Sequence, residues 1–135
     1  MNPKNNITVI IPAAGNSSRF GGSIPKQFFS LGEETVLEKS VNFFLEISSI
    51  KEVIVAINPN EHLIKSQSFY NDARVRFVEG GSTRSESVLN ALVEVDQSIE
   101  IIVIHDAARP WLRRSHFEDL LHQLTNDQSV AGIFP

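Results

Sequence analysis

Residues 7–15 read ITVIIPAAG, and they decide the fold class. Residues 7–12 form an unbroken, mostly β-branched run. A strand with one wet face would alternate apolar and polar residues, so this run suits a strand buried on both faces of a parallel sheet. It breaks at Ala13-Ala14-Gly15. The small, polar stretch that follows carries Arg19 and Lys26 and no acidic residue up to Gln27. Further runs of the same kind lie downstream: EVIVAIN at 52–58, VRFVE at 75–79 and EIIVIH at 100–105, with QSVAGIF at 128–134 beginning a fifth. Asn58-Pro59-Asn60 stops one of them and Gly80-Gly81 ends the next. Between the runs lie helix signals. Thr35/Glu38, Thr83/Glu86 and Ser115/Glu118 each have capping-box spacing, in which a hydroxyl accepts from the first turn and a carboxylate reaches back. A weaker helix is predicted over 61–70. Strands alternating with helices give an α/β fold, a Rossmann-like, mostly parallel sheet flanked by helices, with right-handed crossovers.

Composition sets the outer limits. The 135 residues make a single domain, with no repeat, low-complexity tract or linker. Hydrophobic residues at 41% and charged residues at 21% are the balance of an ordinary soluble protein. Cysteine is absent, which removes disulfides and thiolate metal sites. The first apolar run is too short for a signal peptide, and no stretch nears the roughly 20 apolar residues of a membrane span. A formal net charge of −4 speaks against general nucleic-acid binding. A soluble, cytoplasmic domain is expected, with no membrane or nucleic-acid partner.

In open α/β sheets ligands bind outside the carboxyl ends of the strands. The unusual residues lie there: Ala13, Ala14 and Gly15 after the first strand, Gly80 and Gly81 after VRFVE, and Asp106 after EIIVIH. Three loops should therefore meet at one crevice. The first loop is neither a P-loop nor a dinucleotide fingerprint, because Phe20 and Ser17 stand where those motifs need glycine. Arg19 can grip phosphate oxygens with its fork and Lys26 can act as a point charge. Both also read as solvated surface cations. The second loop, with Ser82, leads into a helix N-terminus whose free N–H groups favour an anion or a base carbonyl. Ser87 falls in that helix's first turn, facing the crevice or plain helix surface. In the third loop Asp106 reads either as the anchor of a Mg²⁺–triphosphate complex or as an ion-pair partner of Arg19, Lys26 or Arg109. His105 ends an apolar strand and reads as packing. The four histidines lack metal-ligand spacing, and Trp111 is expected to pack under the loop.

Pro12-Ala-Ala-Gly15, Arg19, Pro25-Lys-Gln27, Gly80-Gly81, Arg84, Ser87-Val88 and His105-Asp-Ala-Ala-Arg-Pro110 occur together and in order. In this the chain resembles the N-terminal part of the 2-C-methyl-D-erythritol 4-phosphate cytidylyltransferases of non-mevalonate isoprenoid synthesis. The resemblance implies transfer of a cytidylyl group from CTP to the methylerythritol phosphate, with release of pyrophosphate. It implies that the backbone of Ala13, Ala14 and Gly15, with Gly80, Gly81, Ser82 and Ser87, holds cytosine and ribose. Arg19 and Lys26 would stabilise the triphosphate charge, Asp106 would position Mg²⁺ and lie with Arg109 on the acceptor side, and the full-length protein would be a homodimer.

Two departures accompany the resemblance. Ser17 replaces a usual glycine, and family members run on past residue 135 through acceptor-binding residues, so the chain reads as the nucleotide half, binding CTP weakly and turning over poorly. Two alternatives are a ribitol 5-phosphate cytidylyltransferase, which His-Asp-Ala-Ala-Arg-Pro disfavours, and a non-catalytic nucleotide-binding module.

Overall fold

The computed structural model describes residues 6–15 and 24–124. Arg19, Ser17 and the expected strand at 128–134 lie outside the described residues. In chain order the elements are β1 (Ile7–Ala13), β2 (Ser30–Leu31), β3 (Glu34–Thr35), α1 (Val36–Leu45), β4 (Ile50–Ile57), β5 (Val75–Glu79), α2 (Arg84–Leu92), β6 (Ile101–Ile104) and α3 (Arg114–Gln123). Short 3-10 turns occupy Lys26–Phe28 and His62–Ser66. β2 and β3 form a small hairpin whose turn uses Gly32 at φ 71°, a conformation that suits glycine.

The four long strands form one parallel sheet in the order β5-β4-β1-β6. Val9 sits opposite Val53 on one side and Val103 on the other. From β1 the chain builds outward through β4 and β5, then returns through α2 to place β6 on β1's other flank. That reversal makes the carboxyl ends of β1 and β6 a topological switch point, where such sheets open a crevice.

Burial on both faces explains the unbroken apolar runs. On one face Val9, Ile11, Val53 and Val55 pack with Leu37, Val41 and Phe44 of α1 and Phe117 of α3. Phe44 meets Phe117 edge-on, with ring centroids 5.5 Å apart, an arrangement the ring quadrupoles favour. On the other face Ile10 and Ile54 pack under Ala91 of α2.

β6 departs from the expected buried strand. Ile102 and Ile104 are 42% and 43% exposed. They share the face of Thr8 and Ile10, which α2 covers over β1 and β4 but, among the described residues, not over β6. Leu89 of α2 is likewise exposed, while Val88 and Ala91 turn inward. The expected helix at 61–70 is only the five-residue 3-10 turn. Ser66 Oγ and Gln67 Nε2 both donate to the Leu63 carbonyl at 2.8 and 3.2 Å, competing with a continued α ladder.

The three predicted caps differ in outcome. Thr35 and Glu38 form the full reciprocal box: Thr35 Oγ1 accepts from Glu38 N at 3.0 Å, and Thr35 N donates to Glu38 Oε1 at 2.8 Å. Glu38 Oε2 also accepts from Ser68 N at 2.6 Å, and Thr35 Oγ1 lies 2.6 Å from Gln67 Oε1 as its donor. At α2 only half forms, with Thr83 Oγ1 accepting from Glu86 N at 3.1 Å. At α3 the cap position is Arg113, which offers no capping side chain, and Glu118 pairs with Arg114 at 3.2 Å.

Candidate functional site

The first wall is the end of β1. Ala13 is buried in the core, Ala14 leaves the strand, and a Cβ on Gly15 would meet nothing within 4 Å among the described residues. Gln27, 7% exposed, donates from Nε2 to the carbonyls of Ala13 at 3.0 Å and Gly15 at 3.1 Å. Lys26, beside it, is exposed. Ala13, Ala14, Gly15, Pro25 and Gln27 line a pocket together with Asn58 and Glu61, from the loop after β4. The sequence reading took Asn58 as a strand stop only.

The second wall is the turn from β5 into α2, and it touches the first. A Cβ on Gly80 would stand 2.2 Å from the Ala14 Cβ, and one on Gly81 2.2 Å from the Glu86 Cβ. Close approach therefore accounts for both glycines. The turn's donors are engaged within the chain. Gly80 N donates to the Ile57 carbonyl at 2.7 Å, Gly81 N to Ser87 Oγ at 3.0 Å, and Ser82 N and Oγ to Glu86 Oε2 at 2.8 Å each. The N–H groups of these three residues are therefore not free: the Ile57 carbonyl of β4 takes the first, and side chains of the helix's first turn take the other two. Ser87 is buried, 2% exposed, and braces the Gly81 backbone rather than forming helix surface. The hydroxyl and N–H of Ser82 hold the Glu86 carboxyl below its ordinary pKa.

The third wall follows β6. Asp106 Oδ1 accepts from Arg84 Nε at 2.7 Å and Oδ2 lies 3.5 Å from Arg109 Nε. Arg84 is the first residue of α2, so this pair closes the second wall onto the third. Sequence reasoning named Arg109 as a partner and missed Arg84. Ser40 of α1 donates to the Ala107 carbonyl at 3.0 Å in the interior. His105 Nε2 lies 2.7 Å from the Arg109 carbonyl, and its ring meets Phe44 edge-on at 5.5 Å. Burial pushes the His105 pKa down, against the Arg109 carbonyl and Asp106, which raise it. The packing role expected for His105 matches this. Trp111 does not pack under the loop. It is 73% exposed, because Ala107, Pro110 and Leu112 take the inward positions.

Among the described residues no group of three His, Asp or Glu side chains could enclose a metal ion. Asp106 is a lone carboxylate at a half-exposed rim. Both of its oxygens face arginines, which is the ion-pair reading of the sequence, and a Mg²⁺ ion held there would have to share or displace Arg84 or Arg109.

The chain is similar to known proteins over most of its length. The family model described as 2-C-methyl-D-erythritol 4-phosphate cytidylyltransferase matches residues 7–135. The protein of that name from Blochmanniella pennsylvanica is 43% identical over 129 residues, covering 94% of this chain and 53% of the relative. The crystal structure of the Francisella tularensis protein of the same name superimposes with TM-score 0.74 at 33% identity, over 90% of this chain and 53% of that one. The 4-diphosphocytidyl-2C-methyl-D-erythritol synthase of Anaerococcus prevotii gives TM-score 0.75 at 27% identity, over 92% and 52%. The chain thus spans about half the length of the relatives it matches. No described helix is long and apolar enough to cross a membrane. Every strand and loop that builds the crevice lies within the matched residues, and the chain belongs to the 2-C-methyl-D-erythritol 4-phosphate cytidylyltransferase family.

Proposed function

We propose that this crevice binds CTP and that the protein transfers the cytidylyl group to 2-C-methyl-D-erythritol 4-phosphate, releasing pyrophosphate. The observation that carries the reading is the meeting of three loops at the switch point, Gly80 against Ala14 and Arg84 against Asp106. Family membership supplies the substrates.

An oxygen of the acceptor's phosphate attacks the α-phosphorus. A new P–O bond forms there, the bond to the β-phosphate oxygen breaks, and its electron pair leaves with pyrophosphate. A phosphate monoester is already anionic near neutral pH, so no general base is required. The protein's work is positioning and charge stabilisation. Lys26 and Arg19 neutralise the triphosphate as charge moves onto the leaving group. The backbone at Ala13, Ala14 and Gly15, with Gly80, Gly81, Ser82 and Ser87, frames the cytidine. Arg109 lies on the acceptor side with Asp106, which would hold Mg²⁺; the ion would supply positive charge to offset the negative charge of the phosphates. The whole protein acts in the cytoplasm as a homodimer, which sedimentation and cell fractionation test.

Pyrophosphate release with CTP and each acceptor, from this chain and from the chain within a protein of its relatives' full length, tests the reading. Turnover with methylerythritol phosphate by the longer form is expected. Preference for ribitol 5-phosphate would overturn the substrate, and failure of both forms to bind CTP would overturn the function.

A further inference from the structure

Gln27 has no role in the chemistry above, yet it is the best-buried polar side chain of the first wall. It sits on the Lys26–Phe28 turn, which is itself fixed. Phe28 is 6% exposed in the main core, and Phe28 N donates to the Pro25 carbonyl at 2.9 Å. From this anchor the carboxamide nitrogen reaches 12 and 14 residues back to two carbonyls of one loop. Among the described residues an added Gly15 Cβ would meet nothing within 4 Å, so these residues do not fix its backbone by packing.

We infer that Gln27 is a positioning residue that sets the peptide planes of the first loop and ties them to the turn bearing Lys26. In a trans peptide the C=O and N–H point opposite ways. Holding the Ala13 carbonyl on Gln27 therefore fixes the direction of the Ala14 N–H. Holding the Gly15 carbonyl does the same for the peptide that follows Gly15, so the Ala14–Gly15 peptide, with the Gly15 N–H, lies between two held planes. One side chain thereby keeps the nucleotide-framing backbone and a phosphate-neutralising cation in constant register. Without those donors, the loop's conformations would multiply and nucleotide binding would have to reorder them. The consequence for ligand binding rests on the CTP reading; the ordering of the loop does not.

Gln27→Met keeps the length and removes both donors, and Gln27→Glu points an acceptor at two carbonyls. Both are made in the full-length form, with folding followed by circular dichroism. Amide hydrogen exchange is then read at Ala14 and Gly15, with Val53 and Ile54 as core references. Faster exchange at Ala14 and Gly15 alone is expected, with a CTP dissociation constant raised roughly tenfold, the scale of about one net hydrogen bond. A lower kcat should persist at saturating CTP. Unchanged exchange at Ala14 and Gly15 in a folded variant overturns the inference, and so does loosened exchange with unchanged CTP affinity. If Gln27→Met does not fold, Gln27→Glu decides by the same readings. If the unmutated protein binds no CTP, the functional reading falls, and the exchange comparison still upholds or overturns the loop anchoring.

Discussion

Replacing Gly80 with alanine tests the meeting of the first two walls directly. The new methyl would lie 2.2 Å from the Ala14 Cβ, 3.0 Å from Ser87 Oγ and 3.4 Å from the Ile57 carbonyl oxygen. Carbon atoms rest at about 3.5–4.0 Å, so the two backbones must part by more than about 1 Å. The Ala14 Cβ is fixed by its backbone and cannot swing aside, and Ser87 Oγ is held by the Gly81 N–H. Separation also strains the 2.7 Å bond from Gly80 N to the Ile57 carbonyl. Overpacking costs about 1–3 kcal/mol, and loss of a hydrogen bond adds about 1 kcal/mol. Gly80→Ala should therefore destabilise by about 2–4 kcal/mol, a fall in Tm on the order of 10 °C for a chain of this size. Gly15→Ala is the control, with nothing within 4 Å of its added carbon, and should shift stability by less than about 0.5 kcal/mol. Urea denaturation of both variants, and of Ala14→Gly combined with Gly80→Ala, completes the test. The double variant removes the opposing methyl and should recover part of the loss. Equal stability of Gly80→Ala and Gly15→Ala would refute the contact between the walls.

Other expectations concern the site, the core and the titrating groups. Lys26→Ala in the full-length form should lower kcat by about 10²-fold or more and leave the melting curve unchanged; unfolding instead would make Lys26 a structural residue. Thr8 Oγ1 is buried with no partner among the described residues, so Thr8→Val should stabilise by about 1 kcal/mol in urea denaturation. At Glu38 burial opposes ionisation, but the hydrogen bonds from Thr35 and Ser68 together outweigh it and hold the pKa below 4.5. Its stabilisation is present above pH 4.5 and is lost as pH falls through the folded value, so Glu38→Gln should flatten that acid limb. Burial likewise sets the His105 pKa below 6.5. The unfolded chain then takes up the proton first, and stability should fall as pH drops from 6.5 through the folded value, a slope His105→Phe should remove.

The extent to which the sequence announces this structure follows the reach of each interaction. Strand VRFVE at 75–79 is found with the bounds its residues suggest, because apolar runs and glycine stops are local signals. The Thr35/Glu38 box is legible for the same reason, its partners being three residues apart. The Ser115/Glu118 spacing misleads, since α3 begins at Arg114 and that arginine takes the glutamate. What escapes is what the topology creates. Gln27 acts across 12 and 14 residues, and Arg84 meets Asp106 across 22. Asn58 and Glu61 join the pocket only because β4 lies beside β1. Leu89 and Ile102 share the pattern of core residues, and only the placement of α2 over β1 and β4 reveals that they face outward. Arg19 lies outside the described residues.

The two oxygens of Glu38 give the first helix an unusual dependence. Oε1 serves the helix's own start at Thr35, while Oε2 receives the N–H of Ser68, thirty residues on. A cap completed by a distant segment makes local order conditional on tertiary assembly. The start of α1 and the segment around residue 68 should therefore open and close as one cooperative unit, with shared hydrogen-exchange protection. Ser40, two residues beyond Glu38 on the same helix, holds the Ala107 carbonyl beside Asp106. Loosening near residue 68 would then reach the rim of the crevice through a single helix.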